Sequence, residues 1–303
     1  MTSLPSLMPR LRPGPRRAER LDRLGWRAGT CFGAYGVRLG VRVNEPTLLE
    51  RLKPHLPQGW RPLRSPLVDQ IFSVWLDPAG SRGRVYAGRR RSTRTGDVGE
   101  ALAVLESEIR QSIAARARDR TFVHAGVVGW RGRAIVVPGR SRSGKTTLVA
   151  ELVRRGAVYL SDEFAVLDRR GRVHPFLKPL SIRGRGGCDR HARRLDVAEL
   201  GGSAGTAALP VALVVLAQYR PGSAWRPTRL TAGQAVLEML AHTVPARLRP
   251  EASLAALERA ASGAIVLKGE RDEASGLSQD LLGMLDQDTQ RSRVGEGEGR
   301  SRR

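Results

Sequence analysis

Cysteine, lysine and aromatic side chains are all scarce in this 303-residue chain, and no apolar run approaches the roughly 20 residues that a membrane-spanning helix needs. The two cysteines, Cys31 and Cys188, have neither the spacing of a zinc site nor the density of a disulfide framework. They fit a reducing compartment and ordinary buried or half-buried thiols. Near the N-terminus, Arg10, Arg12, Arg16 and Arg17 precede no apolar stretch before Asp22, so a secretory leader is not expected. A soluble, cytoplasmic protein with no membrane partner is the expectation. Lysine occurs only as Lys53, Lys145, Lys178 and Lys268, so the formal net charge of +23 is almost wholly arginine. Such a charge attracts polyanions. It is spread from Arg10 to Arg303 rather than gathered in one stripe, however, and a solvated arginine-rich surface accounts for it. Nucleic acid is therefore not the expected partner.

What apolar patterning there is lies between the ends. The length suits one large domain or two modest ones. Residues 1–29, broken by Pro5, Pro9, Pro13 and Pro15, read as a flexible basic arm, and 288–303 as a disordered polar tail. Residues 30–118 read as a small α/β unit. There Val37, Leu39, Val41 and Val43 alternate as in a half-buried strand, a short helix spans 47–55, and further strands span 68–76 and 84–88. Ala101, Val104, Leu105, Ile109 and Ile113 mark one face of a helix over 97–117. Residues 119–287 alternate more tightly. Strands are predicted over 122–128 and 134–137, a helix over 146–155, then strands over 157–160, 164–167 and 172–174, with 179–182 extending the same sheet. An apolar strand over 211–217 follows, then a helix over 232–242 opened by the capping-box pair Thr231 and Gln234. A helix over 252–261, a strand over 264–267 and a helix over 275–285 complete the domain.

Between the strand that ends at Pro138 and the next helix stands Gly139-Arg140-Ser141-Arg142-Ser143-Gly144-Lys145-Thr146, followed by Thr147. Glycines there let the backbone approach phosphates, successive N–H groups form an anion nest, and the helix adds the positive end of its dipole. In such a loop Lys145 reaches the β- and γ-phosphates of a nucleoside triphosphate, and the Thr146 hydroxyl sits on Mg²⁺. Arg140 and Arg142 are unusual here; added charge at the phosphates and a plain solvent-facing position are both open. Asp162 and Glu163 close the strand that follows the loop helix. A carboxylate in that place can hold Mg²⁺ and accept a proton from an attacking hydroxyl. An acidic turn opening a hairpin is the plainer alternative. His124, fifteen residues before Gly139, is on its own more often structural than catalytic.

Taken together, His124-Ala125-Gly126, the loop, Arg154-Arg155-Gly156 and Leu160-Ser161-Asp162-Glu163-Phe164 resemble the catalytic domain of the HPr kinase/phosphorylase family, most closely its HPr kinase-related members. The specific likeness covers residues 120–185, and a looser one runs through Gly36 to Arg42, Leu56 to Trp60 and Tyr219 to Gly222. The resemblance implies an α/β fold with a P-loop catalytic domain of the HPr kinase/phosphoenolpyruvate carboxykinase type, beside a smaller N-terminal α/β unit and disordered termini. It implies an ATP- and Mg²⁺-dependent kinase acting on a hydroxyl. In that scheme Gly139, Arg140, Ser141, Arg142, Ser143, Gly144, Lys145, Thr146 and Thr147 bind the nucleotide, and Thr146, Asp162 and Glu163 hold the metal. Asp162 is the base, Lys145 and His124 contact the transferred phosphoryl group, and Arg183 stands near the phosphates with Lys178 on the same edge. For Arg183 and Lys178 a surface charge is the alternative.

The chain departs from the sugar-regulation enzymes of that family in four places. It has Asp162-Glu163 for paired aspartates, Ser181 for glutamate, Arg142 for glycine, and Arg185-Gly186-Gly187-Cys188 after the Arg-Gly step. The acceptor implied is therefore not HPr but serine of a peptide, such as a ribosomally made lasso peptide precursor, of another protein, or of a free amino acid. Two other readings stay open: a nucleotide-binding scaffold without kinase activity in a biosynthetic pathway, and a nucleic-acid-binding ATPase.

Overall fold

The computed structural model describes residues 10–11, 19–22, 24–79, 81–139, 143–182 and 193–300. The chain divides into two compact units, Met1–Asp119 and Arg120–Arg303, and both are mixed α/β.

In the first unit the strands are β1 (Arg10–Leu11), β2 (Ala28–Ala34), β3 (Val37–Val43), β4 (Arg61–Pro62), β5 (Leu67–Val68), β6 (Gln70–Leu76), β7 (Gly83–Ala87) and β8 (Arg90–Thr95). The helices are α1 (Glu19–Asp22), α2 (Leu48–Leu52) and α3 (Val98–Arg116). Six strands form a sheet in the order β4-β2-β3-β6-β7-β8, while β1 pairs with β5 apart from it. The alternating residues Val37, Leu39, Val41 and Val43 are all buried, as the period of a half-covered strand requires. Asp97 caps α3 by accepting from the Glu100 N–H at 2.7 Å, and Leu105, Ile109 and Ile113 lie on its buried face.

Two expectations for this unit need correction. Residues 1–29 were read as a flexible arm, yet β1, α1 and the start of β2 fall within them. One local contact and one from the next strand supply the reason: the Trp26 indole donates to the Leu21 carbonyl at 2.8 Å, and Arg42 on β3 both stacks over the Trp26 ring and pairs with Asp22. Strand β8 was not foreseen, because Arg90-Arg91-Ser92-Thr93-Arg94-Thr95 has no apolar alternation; its backbone pairing to β7 makes it a strand.

The second unit contains β9 (Thr121–Trp130), β10 (Arg133–Pro138), β11 (Val158–Ser161), β12 (Phe164–Leu167), β13 (Val173–His174), β14 (Leu180–Ile182), β15 (Arg193–Leu195), β16 (Val211–Tyr219), β17 (Thr228–Arg229) and β18 (Ile265–Arg271). Its helices are α4 (Lys145–Arg154), α5 (Ala232–Leu240), α6 (Pro250–Ala261) and α7 (Ala274–Arg300). The main sheet runs β13-β12-β9-β10-β16-β18-β17, with β11 also paired to β9. Apolar strands with side chains on both faces need cover on both. Ile135, Val137, Leu213 and Val215 pack under α4 and α7 through Leu148, Leu152, Leu277 and Leu281. On the opposite face, Val136, Val214 and Val266 pack under α5 and α6 through Met239 and Leu257. The predicted capping box is present, with Thr231 and Gln234 each bonding the other's backbone.

Here too the structure differs from expectation at two points. Residues 179–182 do not extend the main sheet; β14 pairs with β15 in a separate two-stranded ladder. The tail expected from residue 288 instead continues α7 to Arg300. No proline follows Pro250, so every backbone N–H there is free to continue the helical ladder. Among the described residues no helix is long and apolar enough to cross a membrane.

Leu281 is fully buried and tests whether α7 is an integral layer of this unit. Leu281→Ala is expected to lower unfolding free energy by about 3 kcal/mol in urea titration, whereas Leu254→Ala, at a 39 % exposed position, should change it little.

Candidate functional site

Strands β10, β16 and β18 run parallel, so their C-terminal ends open on one edge, and the chain leaves β10 at Pro138 directly into the loop. Gly139 is buried, and its N–H donates to the His124 carbonyl at 3.2 Å. A Cβ at Gly139 would stand 2.6 Å from Ser143 Oγ. Gly144 ends the loop at φ +84°, a left-handed conformation that favours glycine, and a Cβ there would collide with the Arg271 guanidinium. Lys145 and Thr146 then begin α4. The Lys145 Nζ donates back across the loop to the Gly139 carbonyl at 2.7 Å. Thr147 is exposed. Arg140, Ser141, Arg142 and Arg183 lie outside the described residues, as does Cys188; Cys31 is a free, buried thiol.

The carboxylates arrive from the turn between β11 and β12. The buried Ser161 hydroxyl shapes that turn by accepting from the N–H groups of Glu163 at 3.2 Å and Phe164 at 3.1 Å. Asp162 is thereby aimed at the first turn of α4, where the Thr146 hydroxyl donates to its Oδ2 at 2.9 Å. The helix comes this close because Gly126 has no side chain: a Cβ there would collide with Val149 on α4 and lie 4.0 Å from Asp162 Oδ1. That second oxygen, Oδ1, is buried with no hydrogen-bond partner among the described residues. Burial pushes the Asp162 carboxyl up to about 6, the Thr146 hydroxyl, Lys178 and Lys145 pull it down, and Glu163 adds to the rise. Glu163 itself is half-buried and pairs with Lys178 at 3.2 Å. The buried Tyr159 hydroxyl holds the Lys178 carbonyl at 2.8 Å.

His124 sits on β9 opposite Phe164, with the two ring centroids 4.8 Å apart. Burial lowers its pKa, Glu163 opposes that and Lys145 adds to it, a balance that favours the neutral imidazole. Lys145, Thr146, Asp162, Glu163, Lys178 and His124 thus form one electrostatic cluster. Sequence reasoning missed Arg271. Its guanidinium is 2 % exposed, donates to the carbonyls of Gly144 at 2.9 Å and Asp272 at 2.7 Å, and lies 5.5 Å from the Tyr219 ring centroid. The signal that could have found it is the strand predicted over 264–267, whose continuation ends on this arginine.

The residues suit a hard cation bound together with a polyphosphate. Thr146 Oγ1 and the unpartnered Asp162 Oδ1 are both oxygen donors, and the buried Ser143 Oγ, within the loop, has no partner either. Among the described residues no group of three or more His, Cys, Asp or Glu is arranged to hold a metal. Mg²⁺ needs no such cage, since it is commonly held by one or two carboxylates, water and substrate phosphates. No protein-family model matches the chain, and no curated protein matches its sequence.

Asp162 also carries a stability signature. Its carboxyl titrates near 6 in the fold against 3.8 when unperturbed, so the folded state keeps a proton that the unfolded state releases between those values. Stability from this group is full below the lower value and lost as pH rises through the upper one, by about 2–3 kcal/mol. Asp162→Asn is therefore expected to raise the melting temperature of the ligand-free protein at pH 7.5. The gain should shrink toward zero as pH falls toward 4, as followed by thermal denaturation across pH.

Proposed function

We propose that this chain is a cytoplasmic, ATP- and Mg²⁺-dependent kinase of the HPr kinase-like P-loop type that transfers the γ-phosphoryl group to a hydroxyl. The acceptor class we favour, from the resemblance, is serine of a peptide, such as a ribosomally made lasso peptide precursor, of a protein, or of a free amino acid. The observation that carries the reading is the Thr146–Asp162 hydrogen bond at the mouth of the loop, with Asp162 buried and Oδ1 unpartnered. A bare phosphate loop serves motors and switches as well as kinases. A buried carboxylate fixed at the first turn of its helix supports proton transfer from a hydroxyl.

Each side chain then has a task set by its place. Lys145 exchanges the Gly139 carbonyl for phosphate oxygens, and the loop N–H groups orient them. Thr146 and Asp162, with Glu163 beside them, are the residues that would hold Mg²⁺. When bound, the metal would draw charge from the transferring phosphoryl group. Asp162, fixed by the Thr146 hydroxyl at the first turn of α4, is the carboxylate placed to take the hydroxyl proton. His124 is neutral and offers a hydrogen bond to the phosphoryl oxygens without adding charge. Lys178 holds Glu163 in its position through their ion pair.

Transfer of label from γ-³²P ATP to serine peptides, free serine or water, measured with the full chain and Mg²⁺, tests this reading. Lys145→Ala and Asp162→Asn are each expected to cut the rate by about a hundredfold or more. Wild-type rates in either variant would remove the assignment, and ATP binding without transfer to any acceptor would favour the scaffold instead.

A further inference from the structure

We propose, resting on the nucleotide-binding reading above, that Tyr219 is a stacking platform for the nucleobase and that Arg271 holds it in place. Tyr219 ends β16 and stands in register with Arg271 at the end of β18, both on the edge where the phosphate loop opens. The Arg271 guanidinium lies over the Tyr219 ring and also donates to the Gly144 carbonyl, so a single cation ties the ring to the loop. Gly144 gives a second, independent measure of proximity: a Cβ on it would stand 3.5 Å from the Tyr219 Cβ.

The clamp is rigid for a physical reason. Arg271 is 2 % exposed and makes no ion pair among the described residues, and its Nε has no hydrogen-bond partner. Two carbonyls and the tyrosine face meet it directly and the nearby Glu273 and Asp272 carboxylates add electrostatic support, so swinging away would leave it buried with less. Tyr219 itself keeps 43 % of its surface exposed. It is the aromatic among the exposed large apolar side chains of the described residues; the others are Leu67, Leu237, Leu248 and Leu254. An exposed tyrosine at a strand end is ordinarily plain surface. This one differs because the guanidinium that fixes it also fixes the loop, which places a π-face at a set distance from the phosphate grip. Base–aromatic stacking needs that arrangement and tolerates any base.

Inorganic tripolyphosphate, which has the phosphates without the base, separates this proposal from the reading beneath it. ATP and tripolyphosphate are titrated calorimetrically, with Mg²⁺, into full-length wild type, Tyr219→Ala and Tyr219→Leu; the leucine variant keeps apolar bulk without a π-face. Both variants are expected to bind ATP about tenfold more weakly while tripolyphosphate affinity stays within about twofold of wild type. Unchanged ATP affinity in the variants overturns the platform and leaves the phosphate-loop reading intact. Equal losses for both ligands also overturn it, because Tyr219 would then be bracing the loop. Failure of the wild type to bind either ligand overturns both.

Discussion

A carboxylate taken out of water and held by one hydroxyl is the constraint on which the second unit is organised. The Thr146–Asp162 bond joins the first turn of α4 to the turn between β11 and β12, sixteen residues later in the chain. For that bond to form, α4 must lie close against β9, which requires Gly126, and the strand turn must point inward, which requires the buried Ser161 hydroxyl. The parallel alignment of β10 with β16 and β18 then sets the loop at the open edge of the sheet. Apolar packing supplies most of the stability of such a unit, but packing alone does not specify where a polar group must end. Gly126, Ser161 and Thr146 do.

The charges around this bond are arranged against the ligand-free state. Among the described residues Asp162 makes no ion pair, although Lys145 and Lys178 stand close enough to influence it. On the other side of the loop Arg271 is buried with no ion pair among the described residues; burial lowers its pKa, while Glu273, Tyr219 and Asp272 oppose that. An anion and a cation of opposite need are therefore held apart by the phosphate loop rather than joined to each other. Buried charges left so are costly unless something of the opposite sign completes them. Under the proposed function, a divalent cation and a polyphosphate would supply that pair of charges together. Sites prepared in this way lose stability in order to avoid reorganising when the ligand arrives.

How much of this was legible in the sequence depended on chain distance. The loop and its helix are contiguous, so Gly139 to Thr146 could be read at once, and Thr231 with Gln234 could be read as a cap for the same reason. Asp162 was found through a short step from strand to strand. Arg271 was not, because its partner Gly144 lies 127 residues away and the strand carrying it runs through Lys268-Gly269-Glu270, which breaks the apolar pattern. Strand β8 was missed because residues 90–95 have no apolar alternation; backbone pairing to β7 makes it a strand. The contact of Trp26 with Arg42, on a different strand, likewise has no signature in the sequence around it.

The same dependence on distant partners explains why a phosphate loop alone says little about chemistry. Its glycines, lysine and threonine answer to the shape of a phosphate, which every nucleotide shares. What differs between users of the loop is the set of groups that other strands bring to its two sides. Here β11 brings Asp162 and Glu163 to the side where Thr146 points, while β16 and β18 bring Tyr219 and Arg271 to the side of Gly144. Lys145, folded onto the Gly139 carbonyl, bridges the loop between them. A buried carboxylate lies on one flank and an aromatic face backed by a cation on the other. Under the proposed function, that asymmetry sets the direction along which a phosphate chain would lie, with its reacting end toward Asp162.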